Sequence, residues 1–256
     1  MSSSADGSET RFDGLGAVEL ATLLDLPRVE LFATATSTLD IANAMGPSAP
    51  AGTLVIADEQ TAGRGRLGRS WTSGRGAGIW LTLIERPEDP VALEVMSLRC
   101  GLYAAEALDA LADAPIGVKW PNDLYARGRK LAGVLIETRW RGTAPEWVSI
   151  GFGLNVVQPP IDSAIGLVAG TTRRDALVRL VPALRRAALA TGLLTADELT
   201  RWSARDVASG RVVEAPSAGT VAGISARGEL LVRDADDAET AHRSGTLTFA
   251  EPLACS

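Results

Sequence analysis

A short segment rich in arginine and glycine holds the residues with the clearest capacity for chemistry. Residues 60–84 contain four arginines, six glycines and no acidic side chain, although the whole protein has a formal net charge of −6. Glycine lets a backbone approach a ligand closely, and the forked guanidinium group of arginine pairs with phosphate or carboxylate. A concentrated positive loop in an acidic chain predicts a dedicated anion site rather than a generally basic surface.

The glycine pattern of this loop has more than one interpretation. Residues 63–68 match the pattern G-x-G-x-x-G of dinucleotide-binding loops, which requires a strand before it and a helix after it. Residues 54–57 are typical of a strand, but residues 79–83 alternate like a second strand, so the dinucleotide interpretation fails. The phosphate-binding pattern G-x-x-x-x-G-K-[ST] does not occur. An anion-binding loop between two strands and a solvated hairpin loop remain as interpretations.

Two lysines lie in other polar segments. Lys119 begins the run Lys-Trp-Pro-Asn-Asp, in which a turn at a strand end can direct Asn122 and Asp123 towards a ligand or a metal ion. Lys130 stands at the entry to an apolar strand, where its stem can be buried and its ammonium group fixed. An ordinary turn and a solvated flanking lysine are the alternatives.

Glycines also recur in residues 151–155, which read Gly-Phe-Gly-Leu-Asn. Gly151, Gly153 and Asn155 fall on one face of a strand because side chains alternate between its two faces. The pattern predicts either a backbone cleared for a planar ligand or a flat strand under a packed aromatic side chain.

Composition excludes several classes of protein. The chain has 256 residues, of which 46% are hydrophobic, so it can bury a large core, and its pI near 5.0 argues against general nucleic-acid binding. His242 is the only histidine, which excludes His-rich metal sites, and its polar, turn-like segment predicts a surface position. Cys100 and Cys255 are too few for a disulfide framework and are expected as free thiols. Because neither a signal core nor a membrane-spanning run is present, we expect a cytoplasmic protein.

Periodicity predicts an α+β fold. Apolar and small residues recur at three- and four-residue spacing in segments predicted as helices, around 18–26, 37–45, 91–111 and 174–190. The hydroxyls of Ser37 and Thr38 are expected to cap the second of these helices. Strands are predicted at 53–58, 79–84, 117–120, 131–138 and 147–156, with a hairpin tip at 127–128. Because strands outnumber helices and pair through hairpins, the sheet should be mixed or antiparallel.

Composition and the pattern of predicted elements divide the chain into three parts. Residues 1–14 are predicted to form a disordered tail, and residues 15–208 form the main domain. From about residue 209, short strand patterns alternate with turns, and these patterns lie at 211–214, 219–225, 229–233 and 246–249. This spacing predicts a small β-barrel over residues 209–256, and extra strands on the main sheet are the alternative.

Four segments taken together resemble the biotin protein ligases. They are QTAGRGRLGRSW at 60–71, KWPND at 119–123, KLAGVLIE at 130–137 and GFGLN at 151–155. Their order and rough spacing fit, and the match covers roughly residues 30–160. The resemblance implies that residues 15–208 form a catalytic domain related to class II aminoacyl-tRNA synthetases and to biotin/lipoate ligases. It implies that residues 209–256 form a small Src-homology-3-like barrel.

The resemblance also implies an activity. Members of this family couple biotin to ATP as biotinyl-5′-AMP with release of pyrophosphate, then transfer biotin to one lysine of a biotin carboxyl carrier protein. We therefore expect an enzyme that uses ATP, biotin and Mg²⁺ and whose partner is the carrier subunit of acetyl-CoA carboxylase or a related carboxylase. We expect no nucleic-acid or membrane partner, and a monomer or weak homodimer. The glycine-rich loop can close over the adenylate and exclude water.

The matching positions supply the expected site residues. The resemblance assigns biotin binding to Ser37, Thr38, Leu39, Gln60, Arg64, Gly65, Arg66, Lys130 and Gly133. It assigns nucleotide binding to Arg66, Arg69, Trp71, Lys119, Asn122 and Asn155, with Trp71 stacking on adenine. Catalytic roles fall to Arg64, Arg66, Lys119, Asp123 and Lys130. Asp123 is also the candidate magnesium ligand and the first candidate for assisting the acceptor amine, which must lose a proton to attack.

Two features depart from the family pattern. Leu39 stands where the family usually has asparagine after Ser-Thr, and a leucine side chain forms no hydrogen bond. The chain also has no room for the N-terminal helix-turn-helix domain of the bifunctional members, so we expect no operator binding. A lipoate or octanoate ligase on the same fold, and a non-catalytic regulator that binds biotin or nucleotide, are the alternative functions.

Overall fold

The computed structural model describes residues 10–253, which form two β-sheets and five α-helices. The helices are α1 (Ala17–Leu24), α2 (Thr38–Met45), α3 (Met96–Leu108), α4 (Arg173–Leu189) and α5 (Ala196–Ser203). The first sheet contains β1 (Arg28–Phe32), β2 (Thr53–Ala57), β3 (Gly78–Glu85), β4 (Gly117–Lys119), β5 (Asp123–Ala126), β6 (Arg129–Arg141) and β7 (Ala144–Asn155). The second sheet contains β8 (Val212–Ala215), β9 (Gly219–Ile224), β10 (Leu230–Arg233), β11 (Glu239–His242) and β12 (Thr248–Phe249).

The first sheet is mixed, with the strand order β1-β2-β3-β7-β6-β5-β4. Only β1 and β2 are parallel to each other, and the remaining neighbours in this sheet are antiparallel. The segment rich in arginine and glycine connects β2 to β3, so it is a loop between two antiparallel strands, as the alternation of residues 79–83 predicted. The predicted α+β class with a mixed sheet is confirmed.

Apolar side chains cover both faces of this sheet. Leu54 and Ile56 of β2 lie in the main core with residues of α1, α3 and α4. Val55, between them, lies in a smaller cluster with Ala42 of α2. The alternation follows from the two-residue period of a strand. It places α2 on the face opposite to α3 and α4, and the cavity of the candidate site opens beside α2.

The second sheet is antiparallel throughout and shares its core with the first sheet. Val221 and Leu230 belong to the main apolar cluster. Trp120, in the turn after β4, donates its indole N–H to the carbonyl of Gly228 at 3.0 Å. A small antiparallel sheet at this position is consistent with the predicted barrel, and the boundary at residue 209 stays a prediction.

The helix predicted over residues 91–111 is interrupted at both ends. Separate 3-10 turns at Ala92–Glu94 and Asp109–Leu111 flank α3. At the C-terminal turn, Asp109 accepts a hydrogen bond from the backbone N–H of Ile116 at 2.9 Å. A carboxylate that binds the backbone of the following loop favours a turn over continuation of the helix. Cys100 lies in α3 as a free thiol, and burial raises its pKa to about 12.

The sequence did not predict four of the secondary-structure elements. Strands β1, β5 and β11 and helix α5 were not predicted. His242 lies in β11, where its Nε2 is 2.8 Å from the hydroxyl oxygen of Ser217, so its segment is a strand and not a turn. Strands β1, β5 and β11 have at most five residues each, so their own periodicity is a weak signal.

The predicted disordered tail over residues 1–14 extends too far into the fold. Residues 1–9 and Cys255 lie outside the described residues. Phe12, however, is fully buried, and Asp13 forms an ion pair with Arg173 of α4 at 2.8 Å. Burial of an aromatic ring stabilises this part of the chain against the main core, so residues 10–14 belong to the folded domain.

Candidate functional site

One cavity of about 280 Å³ gathers nearly all of the predicted site residues. It is formed by the N-terminal end of α2, the loop between β2 and β3, the turn after β4, and strands β6 and β7. The predicted residues that line it are Ser37, Thr38, Leu39, Gln60, Arg64, Gly65, Arg66, Arg69, Trp71, Lys119, Asn122, Asp123, Lys130 and Gly133. Asn155 does not line it, and the contacts of all these residues with ligands stay predictions.

A chain of hydrogen-bonded polar side chains contributes Thr38, Gln60 and Thr82 to the lining and ends at Ser73, which does not itself line the cavity. The hydroxyl of Thr82 donates to that of Thr38 at 3.0 Å, and the hydroxyl of Thr38 donates to Gln60 Oε1 at 3.2 Å. Gln60 donates through Nε2 to the hydroxyl of Ser73 at 2.8 Å. Each of these groups is fixed by its neighbour, which gives the cavity a rigid set of donors and acceptors.

The same glutamine replaces the predicted cap of α2. The backbone N–H of Thr38 donates to Gln60 Oε1 at 2.8 Å, whereas the side chain of Ser37 makes no capping hydrogen bond. The prediction that Ser37 and Thr38 cap this helix with their own hydroxyls is therefore wrong. A side chain from the loop satisfies an N–H group that would otherwise lack a partner at the helix start. The first turn of α2 and the loop are thus held together at the cavity.

Apolar side chains form the lining beside this polar chain. They are Leu39, Leu81, Val134, Leu135 and Phe152. Leu39 is buried, and its Cδ1 would lie 3.6 Å from a Cβ atom built on Gly151. We call the polar chain and this apolar surface together the amphipathic recess. Fixed hydrogen-bonding groups next to apolar side chains suit a small ligand that has both a polar and an apolar part.

A second group of residues brings positive charge together around Asn122 and Asp123. Lys130 Nζ lies 2.7 Å from Asp123 Oδ1, as an ion pair without the alignment of a hydrogen bond. Arg66 donates to Asn122 Oδ1 at 3.3 Å, and Asn122 donates through Nδ2 to the carbonyl of Val134 at 2.8 Å. These contacts join the loop, the turn after β4 and strand β6 at one place.

This cationic cluster, defined as Arg66, Arg69, Lys119, Lys130 and their partners Asn122 and Asp123, has more positive than negative charge. Four cations line the cavity here, and Asp123 is the one carboxylate among the described residues that does so. Burial lowers the pKa of Arg66, and Asp123 opposes that effect. Burial likewise lowers the pKa of Lys119, against the attraction of Asp123. Partly desolvated cations in excess attract an anion.

Arg64 has a different position from its neighbours. Its guanidinium group pairs with Asp40 of α2 and with Glu137 of β6, each at 2.6 Å. Burial alone would lower the pKa of Arg64, but these two carboxylates raise it. The predicted contact of Arg64 with the biotin carboxyl group and a phosphate therefore stays a prediction, because in this structure the side chain fastens the loop to α2 and β6.

The ring of Trp71 packs so closely on strands β6 and β7 that Gly133 and Gly153 leave little or no room for a side chain. A Cβ atom on Gly153 would lie 2.6 Å from the Trp71 ring, and one on Gly133 would lie 3.2 Å from it. The glycine pattern of residues 151–155 had two interpretations, a backbone cleared for a planar ligand and a strand under a packed aromatic side chain. At Gly153 the second one holds, because the Trp71 ring occupies the space. The indole N–H of Trp71 is buried without a hydrogen-bond partner, and Lys130 Nζ lies 5.1 Å from the ring centroid.

Asn155 does not line the cavity, and its Nδ2 donates to the carbonyl of Lys130, a lining residue, at 3.4 Å. The structure also adds lining residues that sequence reasoning missed. Tyr125 comes from β5, and Gly245, Thr246 and Leu247 come from the segment before β12. No local signal identifies the last three, because more than 90 residues separate them in sequence from Gly153, the nearest of the other residues that line the cavity.

The cavity has few of the oxygen donors that a magnesium ion needs. Within residues 10–253, no group of three or more His, Cys, Asp or Glu side chains is placed to hold a metal ion. Asp123 and Asn122 together offer one carboxylate and one amide oxygen, which fit a magnesium ion that arrives on nucleotide phosphates and keeps most of its water. The role of Asp123 as a metal ligand stays a prediction. In the described part of the chain, no helix is long and apolar enough to cross a membrane.

Comparison with protein families gives a match over the segment that forms this cavity. Residues 32–155 match the model of the biotin/lipoate A/B protein ligase family. A biotin–[acetyl-CoA-carboxylase] ligase of Mycobacterium tuberculosis is 46% identical over 114 residues, which is 43% of this chain and 41% of the relative. The bifunctional ligase/repressor BirA of Bacillus subtilis is 40% identical over 116 residues, which is 45% of this chain and 36% of the relative. The matches thus span less than half of these relatives.

Solved structures have a similar fold over most of the chain. A biotin protein ligase from Aquifex aeolicus, in complex with biotin and ATP, has a TM-score of 0.71 and 24% identity, covering 87% of this chain and 98% of that one. A biotin protein ligase from Leishmania major, in complex with biotinyl-5-AMP, has a TM-score of 0.61 and 25% identity, covering 84% of this chain and 98% of that one. Since it covers more than four fifths of the chain, the similarity in fold extends beyond residues 32–155.

Proposed function

Since residues 32–155 belong to the biotin/lipoate A/B protein ligase family, we propose that this protein is an ATP-dependent biotin protein ligase. It activates biotin as biotinyl-5′-AMP, releases pyrophosphate, and transfers biotin to a lysine of a biotin carboxyl carrier protein. The single observation that carries this proposal is that one cavity joins the amphipathic recess to the cationic cluster. Such a cavity suits a small amphipathic acid and a polyanion that react with each other.

The first step brings two anions together. A carboxylate oxygen of biotin attacks the α-phosphorus of ATP, and pyrophosphate leaves with the electron pair of the broken P–O bond. Arg66, Arg69 and Lys119 offset the repulsion between these anions and stabilise the charge that develops on the phosphate oxygens. Arg66 is suited to this task because its hydrogen bond to Asn122, at 3.3 Å, fixes the guanidinium group before the ligands arrive.

The second step transfers the acyl group to an amine. The lysine of the carrier protein loses a proton, its nitrogen attacks the carbonyl carbon of the adenylate, and AMP leaves. As the one carboxylate lining the described part of the cavity, Asp123 is the acceptor for that proton. Lys130, 2.7 Å from Asp123, is close enough to contact the activated acyl group from the same side.

The amphipathic recess is the proposed site for biotin. Thr38, Gln60 and Thr82 have fixed donors and acceptors for the polar ring of biotin, and Leu39 and Leu135 provide an apolar surface for its sulfur-containing ring and its side chain. The carboxyl group of biotin then extends to the cationic cluster. Magnesium supplies charge neutralisation on the phosphates when it is bound, and Asn122 and Asp123 are the residues that would contact it.

The direct test uses purified protein, biotin and radiolabelled pyrophosphate. We expect biotin-dependent exchange of label into ATP, and transfer of biotin to an added carrier domain. Arg141, on the hairpin between β6 and β7, is 80% exposed, so an Arg141→Ala variant is a matched control for substitution of a cavity arginine. Absence of both exchange and carrier labelling in the folded wild-type protein would reject the proposal.

A lipoate or octanoate ligase is a second candidate because Leu39 removes a hydrogen-bonding group from the recess. An apolar wall at this position also suits an acyl chain that lacks the polar ring of biotin. Competition separates the two candidates. If biotin is the substrate, lipoate and octanoate should not support exchange at concentrations at which biotin does, whereas the opposite result would support the second candidate.

A further inference from the structure

The ammonium group of Lys119 lies between aromatic rings from the two sheets. Its Nζ is 5.4 Å from the ring centroid of Tyr125 in β5 and 5.0 Å from that of Phe249 in β12. Tyr125 lines the cavity together with Lys119, whereas Phe249 does not line it. The second sheet thus contributes a ring that contacts a cation of the cavity without itself facing the ligand space.

The surroundings of Lys119 differ from those of Lys130. Lys130 pairs with Asp123 at 2.7 Å. Within residues 10–253, Lys119 forms no ion pair with a carboxylate, although Asp123 attracts it from farther away, and two aromatic rings lie close to its ammonium group. A carboxylate at this place would compete with a phosphate for the cation. The face of an aromatic ring attracts a cation while leaving its charge uncompensated.

Burial shifts the pKa values of both Lys119 and Tyr125. Burial lowers the pKa of Lys119, with Asp123 opposing the effect and Lys130 and Arg69 adding to it. Burial also raises the pKa of Tyr125 to about 12, so its ring remains a neutral phenol at physiological pH. A second cation, Arg211, lies 5.4 Å from the Phe249 centroid, which adds to the constraint on the position of that ring.

We propose that Tyr125 and Phe249 form an aromatic pair that positions the ammonium group of Lys119 for an anionic group of the nucleotide. Phe249 is a positioning residue that acts through Lys119, and the second sheet is therefore part of the nucleotide site. This inference rests on the proposed function only in naming ATP as the anion. The placement of Lys119 between the two rings is independent of the reaction.

The kinetic test compares Phe249→Leu with the wild-type protein in biotin-dependent pyrophosphate exchange. We expect the KM for ATP to rise roughly fivefold, on the scale of a lost cation–π contact, with little change in the KM for biotin. Phe249→Tyr keeps an aromatic face and should restore the wild-type KM. Val213→Ala is the matched control, because Val213 pairs with Phe249 between β8 and β12 and its side chain is buried. It weakens the same strand pair without removing the ring.

The spectroscopic test uses the rarity of lysine in this chain. Lys119 and Lys130 are its only lysines, so protein with ¹³C-labelled lysine gives two ε-methylene signals, and a Lys130→Arg variant identifies that of Lys119. Ring currents should shift the Lys119 signal upfield of free lysine. Phe249→Leu should move it towards the free position, whereas Val213→Ala should not.

The outcomes separate the inference from the proposed function. If the wild-type protein catalyses exchange but Phe249→Leu matches it in both the KM for ATP and the Lys119 signal, the inference is overturned. It is also overturned if Val213→Ala raises the KM as much as Phe249→Leu. If the wild-type protein catalyses no exchange, the proposed function fails. The inference is then decided by titrating ATP against the Lys119 signal, where an unchanged affinity in Phe249→Leu would reject it.

Discussion

Charge is arranged in opposite ways in the cationic cluster and in the interior between α3 and α5. In the interior, Arg99 donates to both carboxylate oxygens of Glu198, at 2.6 and 3.1 Å, and Tyr103 donates to the same carboxylate at 3.0 Å. Both charged side chains are almost completely buried, at 1% and 4% exposure. In the cationic cluster, Arg66, Arg69, Lys119 and Lys130 line a cavity in which Asp123 is the one carboxylate that the described residues contribute.

The difference indicates which charges stabilise the fold and which remain available to a ligand. A buried ion pair with all its hydrogen bonds made fixes the positions of the elements that supply it, and breaking it leaves an uncompensated charge. A cluster with excess positive charge lowers the stability of the protein alone and is offset only when an anion binds. Substitutions in the two regions should therefore affect different measurements.

Glu198→Ala should have the largest effect on stability. It leaves Arg99 buried without its counter-charge, so the free energy of unfolding should fall by about 3–5 kcal/mol. Urea denaturation measures this change. Glu106→Ala is the control, because Glu106 pairs with Arg201 at 2.8 Å with both side chains partly exposed, at 23% and 34%, and its loss should cost less than about 1 kcal/mol. Equal losses in the two variants would contradict the contrast between buried and exposed pairs.

Arg66→Ala should reduce activity while leaving the fold intact. Loss of charge-assisted hydrogen bonds to a phosphate should remove on the order of 2–5 kcal/mol of transition-state stabilisation, measured as kcat/KM in pyrophosphate exchange. The melting temperature should equal or exceed that of the wild-type protein, because one of several mutually repelling cations is removed. Wild-type turnover by this variant would refute the assigned role.

Asp206→Asn should stabilise the protein at neutral pH. The Oδ2 atom of Asp206, beside β4, is buried, and this carboxylate forms no ion pair within the described part of the chain. Burial raises the pKa of Asp206 to about 6, although the N–H of Ala208 opposes that effect. Because the folded pKa exceeds the unfolded value, stability present below about pH 4 is lost as the pH rises through 6.

The asparagine variant does not titrate in this range. It should be more stable than the wild-type protein by about 1–2 kcal/mol at pH 7.5 and nearly equal to it at pH 4, measured by urea denaturation at both values. A variant less stable than the wild-type protein at pH 7.5 would show that Asp206 is compensated in the folded state.

Asp40→Asn should have the smallest effect. Asp40 shares the Arg64 guanidinium group with Glu137, and both ends of the Asp40–Arg64 pair are about half exposed. The free energy of unfolding should change by less than about 0.5 kcal/mol, and the change should vanish at high salt. Thermal denaturation at two salt concentrations measures it. A change of 2 kcal/mol would place this exposed pair in the same class as Arg99 and Glu198.

The sequence predicted the cavity better than it predicted the contacts inside it. The arginines and glycines of residues 60–84 and the two lysines could be recognised because each has a chemistry that its neighbours in sequence lack. That Gln60 caps α2 and that Arg64 pairs with Asp40 and Glu137 could not be predicted, because these contacts join segments brought together only by folding.

For the fold, too, local sequence predicts some elements, whereas others depend on contacts made only in the folded chain. Long periodic segments such as β3 and α4 follow from their own residues, because alternation and three-four spacing bury one face or both. The short strands β1, β5 and β11 have too few residues for a period, and pairing with neighbours defines them. The break at the start of α3 and the buried position of Phe12 likewise depend on partners distant in sequence.

By itself the sequence determined the α+β class, the loop between two strands and the identity of the cations that an anion would meet. These follow from local residue types, whose charge and periodicity are present before folding. Only the tertiary structure decided which cations remain uncompensated, with Lys119 beside two aromatic rings, Lys130 beside Asp123 and Arg64 held by two carboxylates. The physical reason is that an electrostatic interaction depends on distance and burial, which only the folded chain fixes.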